Sequence, residues 1–227
     1  MTMPNRFTEI YDRLLSHYGP QDWWPADSPF EVMVGAVLTQ ASAWSNVEKA
    51  LSNLKRADAL SSDAIREMPL PDLARLLYPS GYYNAKARKL KALCEFLHDR
   101  YEDDIDRMAR TPTAELRIEL LNVYGIGDET ADDILLYAVE RPIFVIDTYT
   151  RRLMHRLGIV PEKVSYSPLQ TLFMNNLASN TKHFNEYHAL IVRHCVAACK
   201  KRPLCVGCPV LDICETGLSN VQVSASP

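Results

Sequence analysis

Apolar residues recur at helical spacing almost from one end of this chain to the other, and no segment alternates apolar and polar residues as a half-buried strand would. Phe30, Val34, Val37, Leu38 and Ala41 fall on one helical face. Ser28-Pro29-Phe30-Glu31 marks its start, with a capping Ser, a Pro in the first turn and a Glu three residues on. Ala87, Leu90, Leu93, Cys94 and Leu97 make a second face, and Leu116, Leu120 and Val123 a third, opened by Thr111-Pro112. Ala131, Ile134, Leu135 and Ala138 make a fourth. Ser167-Pro168-Leu169-Gln170 is expected to open a later helix by the same capping logic. The run Ile143 to Ile146 is too short and isolated to found a sheet. The expectation is an all-α protein of about ten helices, and the 227 residues can bury a core in one large domain or two small ones. Residues 215–227 are small and polar and read as a flexible, frayed tail.

Between the third and fourth faces stands Gly125-Ile126-Gly127. Glycines in a tight turn permit positive φ and a close approach to a ligand. The helix that begins near Asp128 then turns free amides outward, which suits an anion. A helix–GxG–helix unit of this size is a helix-hairpin-helix, which can hold a DNA phosphate through backbone amides without reading sequence. An ordinary αα turn with a Gly C-cap fits the same three residues equally well. Asp128 and Glu129 suit the helix dipole but repel phosphate.

Twenty positions after Gly127 comes Asp147, which ends the apolar run and precedes Thr148-Tyr149-Thr150-Arg151-Arg152. A lone Asp there can cap the next helix. Its fixed offset from the hairpin also allows a carboxylate presented for catalysis, with Arg151 supplying local positive charge.

Five of the six cysteines lie within residues 195–214. A disulfide scaffold would spread them through a small secreted chain, so the clustering reads as metal ligation. Cys199, Cys205, Cys208 and Cys214 are separated by five, two and five residues. Four thiolates so close in sequence can close round one iron–sulfur cluster. Structural zinc more often uses two CxxC-like knuckles set further apart. Cys195 is a spare, either buried or an alternative first ligand. Lys200, Lys201 and Arg202 form a basic loop that suits a DNA backbone, or a solvated run. Trp23, Trp24 and Trp44 flank the first helix of this region; such residues pack in cores by default, or stack on a flipped base.

The net charge is −3, so any DNA contact must rest on a local patch and oriented amides. No apolar run is long enough to span a bilayer, and MTMPNRFTEIYDRLL is too polar for a secretory signal. The expected setting is the cytoplasm, in association with the nucleoid.

Taken together, GIGDETA, VIDTYTRR and the terminal cysteines resemble the endonuclease III-type DNA glycosylases, the helix-hairpin-helix superfamily of base-excision repair, over about residues 28–214. FEVMVGAVLTQASAW, SGYYNAKARKL and GIGDETAD look most like its 3-methyladenine DNA glycosylase III branch. The resemblance implies a two-lobed, all-α helix-hairpin-helix glycosylase fold with a C-terminal iron–sulfur loop. Residues 29–141 would form a six-helix barrel with the hairpin. Residues 1–28 and 142–214 would form a helical lobe carrying a [4Fe-4S] cluster on Cys199, Cys205, Cys208 and Cys214. It implies Asp147 as catalytic acid, Trp23, Trp24 and Trp44 as the base pocket, and Gln40, Gly125, Gly127, Arg151, Lys200 and Lys201 as DNA contacts. The expected partner is double-stranded DNA with a damaged base, met by a monomer, with no membrane. Bifunctional relatives carry a lysine just before Thr-Ala in the hairpin; here Glu129 stands there, which favours a glycosylase without strand cleavage. The first cysteine spacing is one residue shorter than the commonest family pattern.

Overall fold

The computed structural model describes residues 5–224. They fall into two compact units: one made from the two chain ends, up to Trp23 and from Pro142 onward, and one spanning Trp24–Arg141. The helices in chain order are α1 Arg6–Tyr18, α2 Pro29–Leu38, α3 Trp44–Arg56, α4 Ser62–Glu67, α5 Leu70–Leu77, α6 Tyr83–Tyr101, α7 Ile105–Ala109, α8 Thr113–Leu121, α9 Asp128–Asp133, α10 Thr148–Arg156, α11 Tyr166–Asn176, α12 Thr181–Ala197 and α13 Glu215–Ser224. There is no strand among the described residues, so the all-α expectation holds. The α-helices among the described residues number thirteen rather than about ten, because α4, α7 and α9 have only five or six residues and are too short to display a period.

The Trp24–Arg141 unit is built around α2. Ser28 Oγ accepts from Glu31 N at 3.2 Å, and Glu31 Oε2 accepts from Asp27 N at 2.9 Å, so the start of α2 is capped as its sequence predicts. The expected single apolar face is corrected: every residue from Glu31 to Leu38 is buried. The helix packs on α3, α6, α9 and the π turn after it, so all its sides face protein. Ala41, counted on that face, lies beyond the helix with φ +50° and is exposed. α9 runs directly into a π turn over Ile134–Ala138, buried throughout. The α6 face Ala87, Leu90, Leu93, Cys94 and Leu97 is buried as expected.

In the unit of the chain ends, residues 143–146 are buried and belong to no helix or strand. Side chains pair with two of their backbone groups: Gln170 Nε2 donates to Phe144 O at 2.7 Å, and Ile146 N donates to Tyr166 Oη at 3.3 Å. Phe144 stacks on Phe173 at 3.9 Å between ring centroids and meets Phe184 and Tyr187 edge-on at 5.6 and 5.7 Å. We expect Phe144→Ala to cost about 3–5 kcal/mol in urea denaturation, because three rings would face the cavity. A loss below about 1 kcal/mol would show that this cluster is not the centre of the unit's core.

Two further expectations are corrected here. α11 begins at Tyr166 with Ser165 at the N-cap position and no side-chain cap, so Ser167 and Pro168 lie inside its first turn. Proline is tolerated there because first-turn amides have no intrahelical acceptor. The tail is not frayed from residue 215: Glu215–Ser224 is helical. Gly217 N donates to Cys214 Sγ at 3.3 Å and Leu218 N to Cys214 O at 2.9 Å, which tie its first turn to the cysteine segment. Residues 225–227 lie outside the described residues.

Candidate functional site

α8 ends with Asn122 at its C-cap, so the glycines that follow do not cap it. Gly125 has φ +83°, a conformation that favours glycine. Gly127 has φ −105° and ψ −178°, extended backbone open to any residue. Of the two glycines expected to permit positive φ, Gly125 alone adopts it. Space does not require glycine at 127 either, since nothing lies within 4 Å of where its Cβ would stand. That leaves open surface beside the turn, where a ligand backbone could approach.

The acids after the hairpin are partly neutralised. Arg117 on α8 donates to Asp128 Oδ1 at 2.8 Å and to both oxygens of the fully buried Asp132 at 2.7 and 3.0 Å. The bonds to Asp132 hold this guanidinium's pKa well above its ordinary value. Glu129 is exposed on α9. Gln40, expected to touch DNA, turns inward: its Nε2 donates to Gly125 O at 3.1 Å and Thr130 Oγ1 at 2.9 Å, and its Oε1 accepts from Lys89 Nζ. It braces the hairpin.

In the same unit, Trp24 and Trp44 meet edge to face at 5.4 Å and 86°. Tyr137, from the π turn, lies 5.2 Å from Trp24. A methyl at Gly35 would come within 3.0 Å of Trp24 Cζ2, so the indole rests against the α2 backbone. Trp24 and Trp44 are half-buried. Trp23 belongs to the unit of the chain ends, so the neighbouring tryptophans are divided between the two units. Sequence reasoning missed Tyr137, which sits in a segment buried on all sides. It also gave no role to Tyr82, a bulky residue 74% exposed at φ +47°, where a side chain carries strain.

Asp147 is the N-cap of α10: its Oδ1 accepts from Thr150 N at 2.6 Å. The capping reading is thus correct for one oxygen. The other, Oδ2, lies 3.9 Å from His188 Nε2 on α12. Asp147 is 8% exposed, and burial lowers the pKa of His188, against the pull of the carboxylate. Sequence reasoning gave no role to His188. Arg151 lies over the Tyr166 ring at 5.7 Å, which limits the sweep of its side chain.

Cys199, Cys205, Cys208 and Cys214 line one pocket; Cys195 does not line it, and its thiol points to Tyr149 O at 3.6 Å. The pocket donates hydrogen bonds to sulfur: Arg156 Nη1 to Cys199 Sγ at 3.2 Å, Gly217 N to Cys214 Sγ, and Asn220 Nδ2 to Cys205 Sγ at 3.6 Å. His194 Nε2 stands 3.8 Å from Cys208 Sγ. Hydrogen bonding from Cys195, with His194 and Arg156, lowers the Cys199 thiol pKa, while burial raises those of Cys208 and Cys214. Four thiolates could share this pocket only with a cationic group between them. The donor set therefore fits a thiolate-bound metal cofactor. Arg156 also donates to Lys200 O and Lys201 O at 2.7 and 3.0 Å, which fixes the backbone of the basic loop and leaves Lys200 and Lys201 exposed.

The pattern of the HhH-GPD superfamily of base excision DNA repair proteins matches residues 34–179. A Methanocaldococcus jannaschii protein assigned as a DNA repair glycosylase is 45% identical over 208 residues, covering 91% of this chain and 94% of its own. The crystal structure of the Helicobacter pylori 3-methyladenine DNA glycosylase bound to 1,N6-ethenoadenine has a TM-score of 0.70 at 31% identity, over 82% of this chain and 95% of that one. A non-covalent endonuclease III–DNA complex has a TM-score of 0.83 over 98% of this chain and 100% of that one; at 23% identity it speaks for the fold alone. With the family pattern matched over residues 34–179 and a relative 45% identical over nearly its whole length, the chain belongs to the HhH-GPD superfamily of base-excision repair proteins, as a DNA N-glycosylase.

Proposed function

We propose that this glycosylase hydrolyses the N-glycosidic bond of an alkylated purine such as 3-methyladenine in double-stranded DNA, and stops there. The observation that carries the reading is the fixed edge-to-face pair of Trp24 and Trp44, backed by Tyr137 and Gly35. An electron-poor, cationic base stacks well on such a wall, at about 0.5–2 kcal/mol for a cation–π contact. Selectivity then comes from stacking and from easy extrusion of a damaged base. The similar H. pylori protein, named for 3-methyladenine and bound to a modified adenine, supports the same substrate class.

Asp147 is the carboxylate of the reaction. As the C1′–N bond breaks, its electron pair leaves with the base and positive charge builds on the sugar. The carboxylate stabilises that charge, orients the water that bonds to C1′ and accepts its proton. Because the leaving base is already positive, it needs no separate acid. Strand cleavage would require an amine to attack the sugar, and Glu129 offers none at the hairpin position. The protein acts as a monomer and grips the DNA backbone through the Gly125 and Gly127 turn, with Lys200, Lys201 and Arg151 as further contacts.

We also infer that Cys199, Cys205, Cys208 and Cys214 hold a [4Fe-4S] cluster. Their sequence spacing of five, two and five residues, the pocket they line together and the hydrogen-bond donors to Cys199, Cys205 and Cys214 sulfur support that reading. When bound, such a cluster would cross-link the four positions and supply a redox centre tuned by the hydrogen bonds to sulfur.

The test is excision from a panel of lesion duplexes, with borohydride added in a parallel set. Release of 3-methyladenine without a trapped covalent adduct is the expected result. A trapped adduct would establish an amine-based lyase instead. Release only of oxidised pyrimidines, or of uracil and thymine from mismatches, would move the substrate class.

A further inference from the structure

The hairpin carries charge of the wrong sign for a phosphate, since Asp128 and Glu129 follow Gly127 directly. Arg117 offsets it only in part, because its guanidinium is divided between Asp128 and Asp132. Lys86 cannot offset it. It is 1% exposed, and its ammonium donates to Leu38 O at 2.8 Å and Ser80 O at 2.7 Å.

Lys89, one turn further along α6, is placed differently. A Cβ built on Gly125 would fall 2.3–2.7 Å from its Cγ, Cδ and Cε, so the lysine stem lies directly on the hairpin backbone. Its ammonium donates to Gln40 Oε1, a neutral oxygen. No carboxylate among the described residues lies within 4.0 Å of it. Gln40 in turn holds Gly125 O and Thr130 Oγ1, so three segments distant in sequence converge on one half-buried, uncompensated cation. A partly buried charge is costly unless an opposite charge meets it. No carboxylate forms an ion pair with it among the described residues, and the space where a Gly127 Cβ would stand is open.

We propose that Lys89 is the cation of the hairpin's phosphate site, with Gln40 as the positioning residue that aims it. This rests on the DNA-binding reading of the hairpin. A backbone phosphate repelled by Asp128 and Glu129 is drawn in by Lys89. The glycine at 125 is required both by its positive φ and by the stem that lies on it.

The experiment measures affinity for a duplex bearing a tetrahydrofuran abasic analogue as a function of salt, for the full chain and three variants. Lys89→Gln is expected to flatten the plot of log affinity against log salt by about 0.9, so that a roughly fourfold rise in salt costs it about 3.5-fold less affinity than the wild type. Lys89→Arg retains the wild-type slope. Gln40→Glu leaves the lysine in place but pairs it with a carboxylate, and flattens the slope likewise. Weaker binding with an unchanged slope in both Lys89→Gln and Gln40→Glu would make Lys89 a structural brace and overturn the proposal. Should Lys89→Gln not fold, the Gln40→Glu slope decides alone. A wild-type protein without salt-dependent duplex binding would instead refute the DNA-binding reading itself.

Discussion

Asp147→Asn is expected to bind a lesion duplex with wild-type affinity while base release falls by about 10²–10⁴-fold, the usual contribution of a positioned proton-transfer group. The substitution is informative because of how the side chain is held. Asp147 Oδ1 caps α10 through Thr150 N at 2.6 Å, and Asn is as good an N-cap as Asp. The amide oxygen can keep that bond, so the helix start and the fold survive. What disappears is the negative charge at Oδ2, the oxygen 3.9 Å from His188. Asp147→Ala would confuse the two roles, since losing the cap costs about 0.5–2 kcal/mol in stability. Single-turnover excision under saturating enzyme, with binding measured separately, distinguishes chemistry from affinity. If Asp147→Asn excises within threefold of wild type, Asp147 is a cap and nothing more, and the carboxylate of the reaction must be sought elsewhere.

That double duty also shows what a sequence can and cannot convey. The position of Asp147 after Ile143–Ile146 announces a helix start, and the same residue type serves catalysis, so local pattern alone leaves both roles open. The α6 face from Ala87 to Leu97 is legible because one side of that helix meets solvent and the other the core. α2 is not, because it is enclosed on every side and its period carries no direction. Trp24 and Trp44 declare themselves as aromatic residues, whereas Tyr137 joins them from a π turn whose neighbours are all equally buried. Gln40 reads as a polar residue free to meet DNA, yet its partners Gly125, Thr130 and Lys89 lie far along the chain. The threat posed by Asp128 to a phosphate is likewise softened by Arg117, an ion pair between helices that no local spacing encodes.

Cys199→Ala is expected to yield colourless protein lacking iron and sulfide, while Cys195→Ala remains brown with the wild-type iron content. The two thiols are four residues apart, so spacing alone allows either to be the first ligand. Their surroundings differ. Cys199 lines the pocket with Cys205, Cys208 and Cys214 and accepts a hydrogen bond from Arg156, the kind of support that metal-bound thiolates receive. Cys195 is buried on α12, with its pKa raised by hydrogen bonding to Cys199 and by burial, and its thiol directed at Tyr149 O. Removing a ligand should also loosen the chain that follows. Between α12 and α13 the backbone has one short 3₁₀ turn, Leu211–Ile213, so beyond the Arg156 bonds to Lys200 O and Lys201 O it gains order from the cross-link. Limited proteolysis of Cys199→Ala should therefore cut within residues 200–214, where Lys200, Lys201 and Arg202 offer exposed trypsin sites. Wild-type protein and Cys195→Ala should resist under the same conditions. A colourless Cys195→Ala beside a brown Cys199→Ala would transfer the first ligand to Cys195, and a zinc-loaded, colourless wild type would replace the cluster with a single ion.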